Sequence, residues 1–171
     1  MPKESLATDI TVRDAKAEDR PFVVTIAQRL VAFGPPSWRT PQEIVAREVR
    51  TLEEFFDHQK TGTALLIATL STEQLLGYVY LETVEDYFTA ERHGHVSIIA
   101  VSEDGEGKGV GGALMRAAEV WARSSGFHRL TLNVFEANSR ARAVYAHLGY
   151  RVETLRYVKV LDETVNGPSD R

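Results

Sequence analysis

A cluster of five glycines, at positions 105, 107, 109, 111 and 112, constrains the fold of this chain more than any other feature. The apolar run Val96 to Val101 precedes it, and because this run is too short for a helix and is bounded by turn residues, it predicts a buried strand. Apolar residues recur at helical spacing after the cluster, up to Gly126: Val110, Leu114, Ala117, Ala118 and Trp121. The segment is therefore predicted to be a strand, a glycine-rich loop and a helix.

A loop of this kind is suited to binding an anion. Glycines leave successive backbone N–H groups accessible beside a helix N-terminus, which carries a partial positive charge. Lys108 adds a full positive charge. We therefore expect the loop to bind a pyrophosphate.

Two other phosphate-binding motifs fit this loop less well. A P-loop would place its first glycine at Ser102 and its final Ser or Thr at Gly109, so that motif is excluded. The dinucleotide pattern G-x-G-x-x-G is met literally by Gly107, Gly109 and Gly112. A doubly wound dinucleotide domain normally carries this motif after its first strand, with several βα units to follow. Too little chain remains here for that arrangement.

A second strand and a short helix follow. Residues 130–135 predict the strand, and Asn138 is a favourable N-cap for a helix that places Ala141, Tyr145 and Leu148 on one side and ends at Gly149.

Together these segments resemble the GCN5-related N-acetyltransferase (GNAT) family. The family signature Q/R-x-x-G-x-G/A corresponds to the segment from Glu106 to Gly111. The signature N-x-x-A-x-x-x-Y corresponds to the segment from Asn138 to Tyr145, followed by the pair Gly149 and Tyr150. The resemblance implies an α/β fold: a mixed central sheet of six to seven strands, whose central parallel pair splays apart to admit CoA, flanked by about four helices.

The resemblance also implies that acetyl-CoA is the cosubstrate and that no metal is needed. The implied CoA-binding residues lie at the strand end, in the glycine loop and in the second motif: Ile99, Ala100, Val101, Glu106, Gly107, Lys108, Gly109, Val110, Gly111, Gly112, Asn138, Arg140 and Tyr145. Glu106 departs from the family pattern, which usually has Arg or Gln there. Because an acid beside a pyrophosphate would repel it, we expect the Glu106 side chain to turn to solvent or to weaken CoA binding.

The implied reaction is direct attack of a primary amine on the thioester within a ternary complex. The resemblance implies that Tyr145 is the general acid for the leaving sulfur, whereas its spacing alone would also suit a core aromatic residue. A backbone N–H near Ala100 or Val101 is suited to polarising the thioester carbonyl. The chain has no cysteine, which excludes a cysteinyl acyl-enzyme, disulfides and Cys-ligated zinc.

The general base is less defined. His95 begins the strand that enters the site. Simple alternation along a strand predicts that it shares one face with the other odd-numbered residues up to Val101. Its imidazole is suited to accepting a proton from the amine through a water molecule. Glu82 and Glu85, on the preceding strand, are competing candidates. Arg140 and Arg142 either approach the 3′-phosphate of CoA or are solvated on the outside of their helix. Trp38 either lines the acceptor pocket or covers a gap at the protein surface.

Composition sets the remaining limits. The chain of 171 residues has 43% hydrophobic residues and a net charge of −4, which predicts a single globular domain, ordered over about residues 8–161, with a polar tail at 166–171. The absence of a basic face argues against nucleic acid, and no apolar run is long enough to span a bilayer. We expect a cytoplasmic protein with a small-molecule or peptide amine as acceptor and no membrane partner. A homodimer is compatible with the resemblance.

The order of the predicted elements is strand, two helices, three strands, helix, strand, helix and strand. A different class of function stays open on the same fold: a non-catalytic module that binds or senses acyl-CoA. Glu106 and the undefined base favour this alternative, whereas Tyr145 and the intact glycine loop favour turnover.

Overall fold

The computed structural model describes residues 10–161. Five strands form one mixed sheet, in which their spatial order is their chain order. They are β1 (Ile10–Asp14), β2 (Thr63–Leu70), β3 (Leu75–Glu85), β4 (Arg92–Val101) and β5 (Leu130–Leu132). The helices are α1 (Arg20–Ile26), α2 (Pro41–Asp57), α3 (Val110–Ser124) and α4 (Ser139–His147). The predicted polar tail lies outside the described residues.

Apolar residues recur at helical spacing from Phe22 to Phe33 and favour one continuous helix there. The α-helix α1 is shorter than this stripe, because the chain continues after Ile26 as a 3-10 helix over Ala27–Val31. A run of β-branched residues, from Val23 to Ile26, disfavours a longer α-helix there. Helix α2 begins with a capping box, in which Thr40 Oγ1 accepts from the Glu43 backbone N–H and the Glu43 carboxylate accepts from the Thr40 N–H, as the spacing of Thr40 and Glu43 before an apolar stripe favours.

Two hydrophobic clusters cover the two faces of the sheet. On one face α1 and α2 bury residues such as Leu52 against Tyr78 and Ile98. On the other face α3 buries residues such as Leu114 against Val79. The sheet is therefore the middle layer of three, as expected for an α/β domain with helices on both faces.

Strands β1 to β4 pair antiparallel, whereas β4 and β5 pair parallel across the α3 crossover, as predicted. The parallel pairing joins only residues 94–96 to residues 130–132, although β4 continues to Val101. Beyond Val96, β4 therefore has no partner in β5, which ends at Leu132, and this unpaired part of β4 leads to the glycine loop.

The predicted count of six to seven strands is not confirmed, because residues 10–161 form five strands. Residues 151–161 follow α4, where the last predicted strand would lie, but they have no regular secondary structure and are exposed throughout. Strand β5 consequently lies at the edge of the sheet, and the splayed parallel pair is not central. The apolar side chains exposed on this segment are Val152, Leu155, Tyr157, Val158, Val160 and Leu161.

Candidate active site

The glycine loop forms the entrance to helix α3. Gly107 and Gly109 have φ angles of 71° and 82°, in the left-handed region, and no neighbouring atom lies within 4 Å of a side chain placed at either position. Gly109 is also the N-cap of α3. Because Gly107 and Gly109 have no side chains, the loop backbone at these two positions faces open space beside the helix N-terminus. This arrangement suits the close approach of an anion.

Gly105 has a different role from these two glycines. A Cβ atom at this position would lie 2.6 Å from the carbonyl oxygen of Leu76 and 2.9 Å from a methyl group of Val101. The glycine therefore allows the loop to pack tightly against strands β3 and β4, and this packing fixes the loop at the end of β4.

A groove of about 460 Å³ runs from the loop toward α4. Its lining is mainly small or apolar, with two polar side chains: Gly109, Gly112, Arg116, Ala143, Val144, His147 and Leu148. The Arg116 guanidinium makes no ion pair or hydrogen bond among residues 10–161. Arg116 lies seven residues after Gly109, two helical turns along α3. Its charge therefore extends the positively charged part of the groove beyond the N-terminus of α3.

Glu106 lies between two arginines. Its carboxylate pairs with Arg29, from the 3-10 helix after α1, and with Arg140 of α4 at 3.3 Å. Arg140, with a further contribution from Arg29, holds the pKa of Glu106 below its usual value. Glu106 is therefore neither turned freely to solvent nor an unbalanced charge beside the loop. Glu106 thus belongs to an ion-pair cluster that links three elements, whereas its effect on CoA binding stays a prediction.

Arg29 also reaches the end of β4. Its Nε donates to the Val101 carbonyl oxygen at 2.8 Å, and its Nη1 donates to Glu103 at 3.0 Å. One guanidinium thus connects the strand end, the 3-10 turn that follows it, and Glu106. This arrangement fixes the position from which the glycine loop departs.

A β-bulge at Ser97 changes which residues of β4 share a face. Tyr80 pairs with Ile98 and Leu81 with Val96, so Ser97 has no opposite residue on β3. Val96 packs on the α3 side together with Ile99 and Val101, whereas Ile98 and Ala100 pack on the α1–α2 side. The expectation that odd-numbered residues from His95 to Val101 share one face is therefore wrong, since an extra residue reverses the alternation.

His95 and Glu82 come together as direct cross-strand neighbours. His95 Nδ1 lies 2.8 Å from Thr131 Oγ1 of β5, and burial lowers the pKa of His95, which favours the neutral imidazole. The Glu82 carboxylate accepts from Ser97 Oγ at 2.5 Å and from the Tyr80 hydroxyl at 3.4 Å. Glu85 is exposed at the end of β3 and lies outside this cluster.

Tyr145 lies on α4, where its ring contacts Tyr150 edge to face at a centroid distance of 6.1 Å. It packs against the hydrophobic cluster on the α3 side of the sheet. Burial raises the pKa of Tyr145, so the hydroxyl keeps its proton at neutral pH. No residue from 10 to 161 forms a hydrogen bond with this hydroxyl.

Asn138 caps α4 as predicted: its Oδ1 accepts from the Ala141 backbone N–H at 3.2 Å. The amide NH₂ group has no partner among the described residues and stays available as a donor. Arg142 pairs with Glu136 at 3.1 Å, on the outside of the helix. Lys108 and Trp38 are exposed.

The family model described as "Acetyltransferase (GNAT) family" matches residues 17–150. The chain belongs to this acetyltransferase family. The match begins at the 3-10 turn before α1 and ends at Tyr150, so it includes the glycine loop, the groove and the His95–Glu82 cluster. GNAT acetyltransferases use acetyl-CoA as the acyl donor.

Individual relatives agree with the family match. The chain is 27% identical to the mycothiol acetyltransferase of Rhodococcus jostii over 153 residues, which cover 88% of the chain but 48% of that protein. It is 24% identical to an L-methionine sulfoximine/L-methionine sulfone acetyltransferase of Pseudomonas aeruginosa, over 83% of the chain and 80% of that protein. The chain thus spans about half the length of the mycothiol acetyltransferases that it matches.

Solved structures share the fold of this GNAT domain. A putative acetyl transferase from Pyrococcus furiosus aligns with a TM-score of 0.72 and 22% identity, covering 90% of this chain and all of that one. Within residues 10–161, no helix combines the length and the apolar character needed to cross a membrane.

The sequence analysis missed two arginines at this GNAT site. Arg29 lies on the predicted first helix among apolar residues, and only the folded chain brings it to Val101 and Glu106. Arg116 was identifiable from its helical spacing to Gly109 and Gly112, because positions 109, 112 and 116 lie on one side of α3.

Proposed function

We propose that this GNAT domain transfers the acetyl group from acetyl-CoA to a primary amine of a small molecule or peptide, by direct attack in a ternary complex. The observation that carries the proposal is the open glycine loop at the N-terminus of α3. Gly107 and Gly109 leave their surroundings free of side chains, and the adjoining groove leads to α4, which carries Tyr145.

This geometry supports an assignment of the CoA-binding residues. The backbone N–H groups from Gly107 to Gly112 are suited to the pyrophosphate, and Lys108 and Arg116 beside them, which have no ion-pair partner among the described residues, are suited to add positive charge. The amide NH₂ of Asn138 is suited to the pantetheine arm. The β4 backbone from Ile99 to Val101, which has no β5 neighbour, faces the gap where the thioester would lie.

His95 is the general base that we favour. Its lowered pKa leaves the imidazole neutral at pH 7, whereas both Glu82 oxygens already accept hydrogen bonds from Ser97 and Tyr80. In the proposed reaction the amine nitrogen bonds to the acetyl carbon, and the C–S bond breaks. The proton lost by the amine passes to His95 through water, and Tyr145 donates its proton to the leaving sulfur.

We also propose a homodimer formed through residues 151–161. This segment exposes apolar side chains and has no regular secondary structure, and the same molecule leaves the outer edge of β5 unpaired among the described residues. A second copy offers both complementary elements at once, as a symmetric interface requires. Truncation after Arg151 should convert a dimer to a monomer by light scattering, and an unchanged mass would refute this interface.

The experiment that tests the activity is thiol release from acetyl-CoA with a panel of primary amines, with the acetylated product confirmed by mass spectrometry. Amine-dependent release with equal amounts of both products supports the transferase. A chain that binds CoA but releases no thiol with any amine would instead be the non-catalytic acyl-CoA module. The full-length chain is the sample for this assay.

A further inference from the structure

The Thr131 hydroxyl of β5 contacts three groups of β4. Its oxygen lies 2.8 Å from His95 Nδ1, 3.1 Å from His93 Nε2 and 3.4 Å from the Gly94 carbonyl oxygen. Thr131 is the parallel partner of His95, so all three groups approach it from the neighbouring strand. One hydroxyl therefore joins the two histidines of β4 to each other.

The number of available protons decides the direction of these three hydrogen bonds. A hydroxyl donates one proton, and its oxygen accepts up to two. The Gly94 carbonyl can only accept, so its contact takes the single proton of Thr131. Both ring nitrogens must then donate to the Thr131 oxygen, His95 from Nδ1 and His93 from Nε2. Any other assignment on neutral rings leaves one of the three contacts without a proton.

The burial of His93 favours the same assignment independently. His93 is 7% exposed, and its Nδ1 is sealed from solvent without a hydrogen-bond partner among residues 10–161. When Nε2 of the neutral ring is protonated, this Nδ1 is a bare lone pair. The opposite tautomer would bury an N–H without an acceptor, and unpaired buried N–H groups are rarer in folded proteins than unpaired acceptors.

The other ring nitrogen of His95 is accessible. Its Nε2 forms no hydrogen bond within residues 10–161 and is not sealed in the interior, so water can reach it. Burial of the ring lowers the pKa of His95, so at pH 7 the imidazole is neutral and one nitrogen carries the lone pair. When Nδ1 is protonated, that lone pair is on the accessible Nε2. In the opposite tautomer the accessible nitrogen would be a donor and could not take a proton.

We propose that the Thr131 hydroxyl holds His95 in the tautomer protonated on Nδ1, and so makes Nε2 the atom that takes the proton of the attacking amine. The inference rests on the proposed transferase function, in which His95 is the base. Thr131 acts through His95 and is therefore a positioning residue.

The proton transfer follows from this tautomer. The proton lost by the amine passes through water to Nε2 of His95, while the proton on Nδ1 stays in its hydrogen bond with Thr131. The imidazolium that forms has two N–H donors, so the bond to the Thr131 oxygen becomes charge-assisted and stronger. The hydroxyl thus stabilises the charged base as well as its tautomer.

The tautomer is measured directly by ¹H–¹⁵N correlation spectra of the imidazole rings, which distinguish a protonated ring nitrogen from an unprotonated one. The full chain is studied at about pH 8, where an imidazole with a pKa below 6.5 is neutral. The chain has five histidines, so loss of signals in His95→Gln identifies this ring. We expect His95 to be protonated on Nδ1 in the wild type and in Thr131→Ser. In Thr131→Val it should change to Nε2–H, the tautomer that an imidazole without a fixed partner favours in water.

An Nε2–H tautomer in the wild type would overturn the proposal, and so would the same tautomer in all three proteins. Thermal melts check that Thr131→Val is folded. The wild-type spectrum decides the tautomer without any variant at position 131.

Steady-state thiol release tests the effect on turnover. Thr131→Val should lower kcat by about 10- to 100-fold, the value of a hydrogen bond to a charged group, whereas the KM for acetyl-CoA should change little. Thr131→Ser, which keeps the hydroxyl, should recover most of the rate. Thr11→Val is the matched control, because it removes a β1 hydroxyl that contacts Thr69 Oγ1 at 2.9 Å, and it should leave kcat unchanged. Equal losses in the Val and Ser variants at position 131, or no loss in either, would refute the role of the hydroxyl.

The two measurements keep this inference apart from the transferase function. The spectra do not require turnover, so a chain that releases no thiol refutes the transferase, while an Nδ1–H tautomer that is lost in Thr131→Val still supports the tautomer assignment. Amine-dependent thiol release from a chain whose His95 is protonated on Nε2 supports the transferase and refutes the role of Thr131.

Discussion

Replacing Gly109 by alanine separates the role of the glycine loop in folding from its role in binding. The φ angle of 82° is unfavourable for any residue with a Cβ, yet no atom lies within 4 Å of the added methyl group. The folding cost is therefore backbone strain alone, about 1–2 kcal/mol, partly offset by the smaller conformational freedom of the unfolded chain. A net loss of about 1 kcal/mol should lower Tm by about 2–4 °C.

Gly126→Ala is the matched control. Gly126 has a φ angle of 79° and is equally free of neighbours, but it lies at the opposite end of α3, about 20 Å from the loop. The two variants should lose similar stability. Only Gly109→Ala places a methyl group where the pyrophosphate would approach, and loss of one charge-assisted hydrogen bond should weaken CoA binding by about 10- to 100-fold.

Calorimetric titration with CoA and thermal melts on the wild type and the two variants supply both quantities. An unchanged CoA affinity in Gly109→Ala would refute the assignment of the loop to the pyrophosphate. An equal loss of affinity in Gly126→Ala would show that strain in α3, and not occupation of the ligand space, weakens binding.

Three further predictions concern charged groups. Glu106→Gln should tighten CoA binding, more at low than at high salt, because Arg140 loses its carboxylate partner and Arg29 loses one of its two, which leaves more positive charge available to phosphate. Weaker binding in titrations at two salt concentrations would contradict this. Because burial lowers the pKa of His95 below 6.5, the unfolded chain binds a proton there more readily than the folded protein does, and Tm should fall as the pH drops below about 6.5. His95→Gln should reduce this pH dependence of Tm. Identical Tm–pH curves for the wild type and this variant would refute the prediction. Asp19→Asn should lower the free energy of unfolding, measured in urea, by about 2–4 kcal/mol. Asp19 is 2% exposed and accepts hydrogen bonds from Arg13 at 2.7 and 2.9 Å and from the Lys16 N–H at 2.7 Å. A loss below about 0.5 kcal/mol would show that these contacts do not stabilise the fold.

Local sequence patterns were sufficient for most of the fold. The Thr40–Glu43 capping box, the Asn138 cap and the β2–β3 hairpin appear where their short-range patterns predict them, since each depends on residues close in the chain. The parallel β4–β5 pair follows from the helical crossover. The predicted last strand is different, because a strand after α4 would need a partner that is distant in the chain, and a local pattern does not supply one.

The candidate site was less predictable, because its geometry depends on register and on long-range charge pairs. The bulge at Ser97 inserts one residue and reverses the face of Ile99 and Val101, and no local pattern in β4 reveals it. The environment of Glu106 depends on Arg29, which lies 77 positions away in the chain. Roles that the resemblance implies for single residues, such as Tyr145, stay predictions.

Steady-state kinetics of Tyr145→Phe, paired with thermal melts, test the proposed mechanism most directly. The substitution keeps the ring that packs against Tyr150 and removes a hydroxyl that has no partner within residues 10–161, so Tm and CoA affinity should barely change. If this hydroxyl protonates the leaving sulfur, kcat and kcat/KM for amine-dependent thiol release should both fall by on the order of 10²–10⁴-fold. Wild-type rates from the Phe variant across several amines would contradict the assignment of Tyr145 as the general acid.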